Sequence, residues 1–543
     1  MINQILNNRY FHYLILAIAG AISIFAYAPF NYSFVIIISL VLLLIVIESS
    51  CNKRSSNWKI LAYAYIYGLA YFNTQIYWIF YSLYKIIHAG FIVSLVAMIG
   101  FTIFLATYIA LGIFTYVKLK TKYAEFNYLV LFPSTWVLFE WLRGWILGGF
   151  PWCDIGYSQS NSTFLKGFYP LLGSYGVSWV TISLAGVVYL ILQNKNLIIY
   201  EERSKFGVFD KRRHLRDVNK ERNQKVQMMI APSIIKNSFR VAIIYAAVLF
   251  IGGHALQDIQ YTKPYGKPIK VALLQGNVAE GTKWSSDSGL KVYEDMIRAA
   301  SADLILVPET AIAQFEHNLP DGYLDHLTKI AQDKKADIIV GIPKLIDDQN
   351  NYVNAAMLLS DQKHPYYAKA HLVPYGEYIP VRWLLKHVYA TFSLPMVGFT
   401  PGAEYQEPIR TANQKLAFNI CYENGFSIEL LKAASNSTMM VNLSDMVWYG
   451  TSVAKDQHLQ LSIVRAMENQ RYFLQDTNTS ITAIIRPDGV IQSTLPIFTR
   501  QILTDYVQGR IGLTPFERFG NYSIVIFISI MILIGCLLRR LHR

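Results

Sequence analysis

The sequence predicts a polytopic α-helical membrane domain of about eight transmembrane helices joined to one α/β soluble domain, and three observations lead there. Hydrophobic residues make up 53% of the 543 and charged residues only 16%, an apolar excess over an ordinary soluble chain. That excess sits before about residue 195 and again at the end, in runs near the ~20 residues a helix needs to cross a bilayer. From about Asp258 to Arg518, charges recur, apolar runs shorten to strand length, and Pro and Gly punctuate them.

In chain order, spans are predicted over 10–29, 34–48, 60–72, 90–117, 128–146, 173–192 and 239–251. The run "YSIVIFISIMILIGCLL" supplies an eighth at 522–538. The organisation is therefore a seven-helix membrane domain at 1–257, a soluble domain at 258–518, and a returning helix with a basic tail at 519–543. The first run carries no small-residue cleavage site and reads as a retained helix.

The net charge of +13 invites a nucleic-acid reading, but its placement argues otherwise. Basic residues collect in "CNKRSSNWK", "VKLKTK", the long connection at 195–238 and the terminal "RRLHR". These are alternate loops, the pattern of the positive-inside rule with both termini cytoplasmic. The soluble domain then faces the other side, the periplasm of a bacterium with an outer membrane. No basic motif with interleaved aromatics accompanies the charge, so no nucleic-acid partner is expected. The connection at 195–238 is polar and charge-rich, which reads as partly disordered.

Cys51, Cys153, Cys421 and Cys536 give neither a disulfide framework nor metal spacing, and no metal or cofactor is expected. A lone cysteine is ordinarily a buried small apolar residue, so the surroundings of Cys421 must decide its role. In the soluble domain, "KVALLQGNV", "ADLILVPET", "ADIIVGIPK" and "QKLAFNICYE" read as strands, and "NAAMLLS" with "YYAKAHLVPYGEYIP" as a hairpin. Amphipathic helical stretches such as "LKVYEDMIRAAS" lie between several of them. In such sheets ligands bind beyond the carboxyl ends of strands, where Glu309, Lys369 and Cys421 all fall. A carboxylate can take a thiol's proton, and an ammonium can stabilise the thiolate and then the oxyanion formed when sulfur attacks a carbonyl.

The segments "LVPET", "KAHLVPYGEY" and "NICYE" resemble the three signatures of the nitrilase or carbon-nitrogen hydrolase superfamily. That resemblance implies an α-β-β-α sandwich with a Glu-Lys-Cys triad. "EWLRGWILGGFPWCDIGYSQS", "QGNVAEGTKW" and "VPYGEYIP", together with the membrane spans, resemble the apolipoprotein N-acyltransferase family over almost the whole chain. The resemblance implies a two-step reaction: Cys421 takes a fatty acyl chain from a phospholipid, phosphatidylethanolamine being the expected donor, with Glu309 as base and Lys369 holding the oxyanion. The thioester then passes the acyl group to the α-amine of a diacylglyceryl-cysteine at an apolipoprotein N-terminus. It also implies supporting roles for Glu377, Tyr422 and Glu423, and substrate contacts for Trp284, Tyr375 and Arg143. At Arg143, snorkelling at the end of a span competes with contact to a lipid phosphate. Arg465 and Glu468 are expected to hold the sandwich together. The 389–402 segment sets apolar residues on a Gly- and Pro-containing loop, a composition that suits a lid over acyl chains and equally a packed loop.

Two segments depart from the family pattern, "SDMVWYG" at 444–450 and "TNTS" at 477–480, and leave local loop geometry open. Two other readings stand beside the acyltransferase. A membrane-tethered amidase or nitrilase would keep the triad but have no use for eight spans. A transporter or scaffold would carry charges within its spans.

Overall fold

A computed structural model describes residues 9–52, 56–205, 218–279, 283, 288–347, 351–374, 376–378 and 398–541, with the backbone alone at 9, 52, 194–205, 218–236, 288 and 316. Each predicted span falls on a helix: Arg9–Ile22, Phe34–Asn52, Asn57–Gln75, Phe91–Leu119, Phe132–Arg143, Tyr169–Lys205, Val218–Gln257 and Tyr522–Arg540. Among the described residues, five helical stretches are long and apolar enough to cross a membrane: Phe34–Cys51, Phe91–Leu119, Leu165–Gln193, Asn237–Gln257 and Tyr522–Arg540. The remaining three predicted spans are helical but shorter or richer in polar and aromatic groups. On the outer helices Ile92, Val96, Ile244, Val248 and Ile526 are exposed, an apolar surface that needs lipid rather than water around it.

Two helices depart from expectation. The Tyr169–Lys205 helix is broken near its start at Gly173, whose φ of 66° suits glycine, and a Cβ there would lie 2.3 Å from the Phe516 ring. The polar connection predicted as partly disordered is helical to Lys205 and again from Val218. Its Lys, Arg, Glu and Gln content favours helix in these two stretches. Residues 206–217 lie outside the described residues.

Between the last two spanning helices the described residues form twelve strands: β1 (Thr262–Gln275), β2 (Leu304–Val307), β3 (Asp337–Leu345), β4 (Tyr352–Leu358), β5 (Tyr366–Ala368), β6 (Ile409–Thr411), β7 (Gln414–Ile420), β8 (Met439–Ser444), β9 (Phe473–Thr477), β10 (Ala483–Ile485), β11 (Ile491–Thr494) and β12 (Gln501–Gly512). They make two six-stranded sheets, ordered β12-β1-β2-β3-β4-β5 and β11-β10-β9-β8-β7-β6. The central pairs β1/β2, β2/β3, β7/β8 and β8/β9 are parallel, and the flanking pairs are antiparallel.

Strand alternation distributes the core. Val271 and Leu273 point between the sheets with Leu304, Leu306, Phe418 and Val441, whereas Ala272 and Leu274 face outward under the Ser288–Ala299 and Tyr323–Lys334 helices. Helix Ala454–Asn469 covers the outer face of the second sheet, where Met440, Phe473 and Ile485 join it in a separate apolar cluster that runs into the membrane helices. The predicted α-β-β-α sandwich is thus present, and one of its outer layers is shared with the membrane bundle.

Candidate active site

Glu309, Lys369 and Cys421 leave three strand ends and meet in one buried site. Glu309 lies two residues after β2, Lys369 directly after β5, and Cys421 directly after β7. Cys421 has φ 54°, a left-handed conformation costly for a residue with a side chain, so the surrounding structure must hold it. Its carbonyl is gripped by Asn442 Nδ2 at 3.4 Å and His458 Nε2 at 3.2 Å. Because a carbonyl only accepts, His458 Nε2 carries the proton. Burial keeps that imidazole neutral by lowering its pKa to about 4.

The Glu309 carboxylate is held from three directions. Oε1 accepts from Asn354 Nδ2 at 2.8 Å and from Lys369 Nζ at 3.3 Å, and Oε2 accepts from the Asp445 amide at 3.0 Å. The Cys421 thiol shares this buried site with the carboxylate, whose charge helps to hold the thiol proton on. Lys369 donates to Glu377 Oε1 at 2.8 Å, Asn354 reaches the same oxygen at 3.2 Å, and Glu377 Oε2 accepts the Val373 amide at 2.8 Å. Burial works against the Lys369 ammonium, but Glu309 and Glu377 outweigh it and hold its pKa well above the ordinary lysine range. Burial first, and then Glu309, push the Cys421 thiol well above its usual range despite the nearby ammonium. The resting set is therefore a neutral thiol beside a carboxylate, an arrangement that can lose its proton as sulfur attacks.

Glu423 braces the turn after the cysteine. Its carboxylate accepts the amides of Ile420 at 2.6 Å, Ala370 at 2.7 Å and His371 at 3.0 Å, and the Tyr367 hydroxyl at 3.0 Å. Burial nevertheless raises its pKa to about 7. Tyr422 packs outward against the membrane helices: its hydroxyl donates to the Gly149 carbonyl at 3.1 Å, and its ring stacks on Trp152 with centroids 6.5 Å apart. Trp284 and Tyr375 lie outside the described residues, as does 379–397, which contains most of the lid segment.

Arg143 is not at a lipid surface. It is 4% exposed, pairs with Asp154 at 2.5 Å, and donates to the Phe150 and Trp152 carbonyls at 2.9 and 2.6 Å. The guanidinium is buried rather than snorkelling, and its bonds fold the 150–154 loop. Arg465 and Glu468 do more than hold the sandwich. Arg465 reaches the Tyr157 hydroxyl at 2.7 Å and Glu468 accepts the Ser174 amide at 2.8 Å, so the pair ties the sandwich to the membrane helices.

Asn354, Asp445 and His458 were not singled out from the sequence. Asn354 announces itself only as a lone amide within the apolar strand "YVNAAML". Asp445 follows a strand end, as Glu309 does, but lies in the divergent "SDMVWYG" segment; His458 has no local signal. That segment positions Glu309 through its Asp445 amide, and Asn478 of "TNTS" holds Asp445 Oδ1 at 2.7 Å.

Comparison with known proteins adds the relationship. Residues 19–187 match the apolipoprotein N-acyltransferase N-terminal domain, and residues 270–516 match carbon-nitrogen hydrolase. The chain is 35% identical to an apolipoprotein N-acyltransferase of Chromobacterium violaceum over 96% of its own length and 93% of that protein's. It is 33% identical to the protein of the same name from Methylococcus capsulatus, covering 94% of this chain and 93% of that one. Saccharomyces cerevisiae Nit3, a member of branch 10 of the nitrilase superfamily, aligns with 46% of this chain and 93% of its own at 19% identity and a TM-score of 0.34. With the membrane helices and the hydrolase sandwich matched together over nearly the full length, the chain belongs to the apolipoprotein N-acyltransferase family.

Proposed function

We propose that this protein moves a fatty acyl chain from a phospholipid, through a thioester on Cys421, to the α-amine of the diacylglyceryl-modified N-terminal cysteine of an apolipoprotein. The observation that carries the reading is the thiol–carboxylate–ammonium set at Cys421, Glu309 and Lys369, seated against the 149–152 loop of the membrane helices. In the first step Glu309 takes the thiol proton as sulfur attacks the acyl ester carbonyl. Lys369 faces the oxyanion, and the proton returns to the leaving glycerol oxygen to release lysophospholipid. In the second step the amine attacks the thioester, Glu309 removes its proton, and the thiolate leaves and is reprotonated. The product is an amide, more stable than the thioester, and a site closed to water protects the intermediate from hydrolysis.

In this reading all eight helical segments belong to the bilayer, the units are 1–257, 258–518 and 519–543, and phosphatidylethanolamine is the donor. The enzyme lies in a bacterial inner membrane with both termini cytoplasmic and the sandwich in the periplasm. Glu377 holds Lys369, Tyr422 and Glu423 support the nucleophile turn, and Trp284 and Tyr375 contact substrate. The small-amide hydrolase is disfavoured because the relationship extends across the membrane helices.

The test is intact-mass analysis after incubation with phosphatidylethanolamine. A hydroxylamine-sensitive fatty-acyl adduct on the wild type, absent from Cys421→Ala and Cys421→Ser, is expected. A folded wild type that takes no adduct from any phospholipid overturns the reading.

A further inference from the structure

A second buried lysine stands behind the Glu309 carboxylate. The Lys283 side chain is wholly buried, and its ammonium bonds Asp445 Oδ2 at 2.6 Å, Thr310 Oγ1 at 2.8 Å and the Glu309 carbonyl at 3.3 Å. Asp445 in turn gives its amide to Glu309 Oε2 at 3.0 Å. One cation therefore touches both the main chain that carries Glu309 and the residue that orients its carboxylate. Thr310, whose hydroxyl meets the ammonium, is itself at φ 46° and has to be held there. An ion pair of this kind is costly to desolvate, and an apolar pair of similar volume would serve stability as well.

Resting on the reading of Glu309 as general base, we propose that Lys283 is a positioning residue for acyl transfer, whose pairing with Asp445 aims the Glu309 carboxylate and cancels the charge behind it. Among the described residues, six other titratable groups share this neighbourhood: Lys369, Glu377, Cys421, Tyr449, Asp445 and Tyr293, the last joined to Asp445 through Asn478. Lys369 and Glu377 offset each other at 2.8 Å and Lys283 and Asp445 at 2.6 Å, so removing one member of the second pair leaves an uncompensated charge beside Glu309. Loss of the lysine leaves a buried anion beside the base, and loss of the aspartate charge leaves a buried cation there, so the two changes disturb the site with opposite sign.

The experiment follows thioester formation from phosphatidylethanolamine by intact mass in single turnover across the acidic and neutral range. Lys283→Met is expected to slow acylation at neutral pH by roughly tenfold or more and to move the acidic limb upward by about one pH unit. Asp445→Asn is expected to move the limb downward, and the double variant Lys283→Met/Asp445→Asn to return it to the wild-type position. Lys283→Arg, which keeps the charge, leaves the limb unmoved. Limbs that stay fixed in all four variants, or move the same way in both single variants, overturn the proposal and reduce the pair to packing. Should Lys283→Met not fold, Asp445→Asn against the double variant decides by the same criterion. Failure of the wild type itself to acylate would instead count against the proposed function.

Discussion

At the scale of single residues the site separates reactivity of the thiol from catalysis by it. Burial and the Glu309 anion hold the Cys421 proton on, while Lys369 pulls the other way. Replacing Glu309 by Gln removes the anion and leaves the ammonium, so the thiol pKa falls and the thiolate fraction at neutral pH rises. Glu309→Gln should therefore be alkylated by iodoacetamide at Cys421 faster than the wild type at about pH 7–8 while forming no thioester, because no base remains to assist attack or protonate the leaving group. Slower alkylation of the variant would mean that Glu309 holds a thiolate pathway open and does not suppress one. Glu377→Gln tests the other partner of Lys369. With the 2.8 Å bond to a charged oxygen gone, the buried ammonium turns wholly to Glu309 and competes for the base. The expected result is a loss of roughly a hundredfold in the acylation rate, with substrate affinity little changed.

At the scale of elements, two placements do the positioning. β3 passes so close to the chain after β2 that a Cβ on Gly341 would lie 2.2 Å from the Pro308 carbonyl and 2.7 Å from the Glu309 Cα. Gly341→Ala must push these apart, at a cost of about 1–3 kcal/mol, and it shifts Glu309 as it does so. Thermal unfolding and the acylation rate should fall together in that variant. The Ala454–Asn469 helix is the second placement, since it serves as an outer layer of the sandwich and as the seat on the membrane helices. Gln457 on this helix accepts from Trp152 Nε1 at 2.7 Å and Trp78 Nε1 at 3.2 Å, and the next residue, His458, grips the Cys421 carbonyl. Arg465→Met strands Glu468 as a buried carboxylate and should destabilise by roughly 3–5 kcal/mol, whereas Arg465→Met/Glu468→Leu recovers most of that loss. Thermal unfolding in detergent of the two variants and of Glu468→Leu completes the cycle. Additive effects would deny the coupling.

At the scale of the whole molecule, what was legible in the sequence follows from how local each signal is. Spans, strands and the three residues at strand ends are written in continuous runs, so periodicity and strand-end position located Glu309, Lys369 and Cys421. Arg143 was misplaced because an arginine ending an apolar run has the same local sequence whether it snorkels or folds back, and its partner Asp154 is found only once the intervening loop closes. Lys283, Asn354 and His458 were silent for the same reason: each matters through a partner far along the chain. Orientation in the bilayer is the property that only the whole chain decides. The basic residues stand at the ends of helices opposite the sandwich, at Lys118 and Lys120 and at Arg539 and Arg540. The positive-inside rule predicts that these charges stay cytoplasmic, and the sandwich, entered after Gln257 and left before Tyr522, is then expected on the far side. Green fluorescent protein fused after Arg543 should fluoresce, since it folds in the cytoplasm and not after export in unfolded form. Alkaline phosphatase fused after Gly512 should be active, because its disulfides form only in the oxidising compartment. The reverse pair of results would invert the helices and put the Cys421 site on the side where both basic ends now lie.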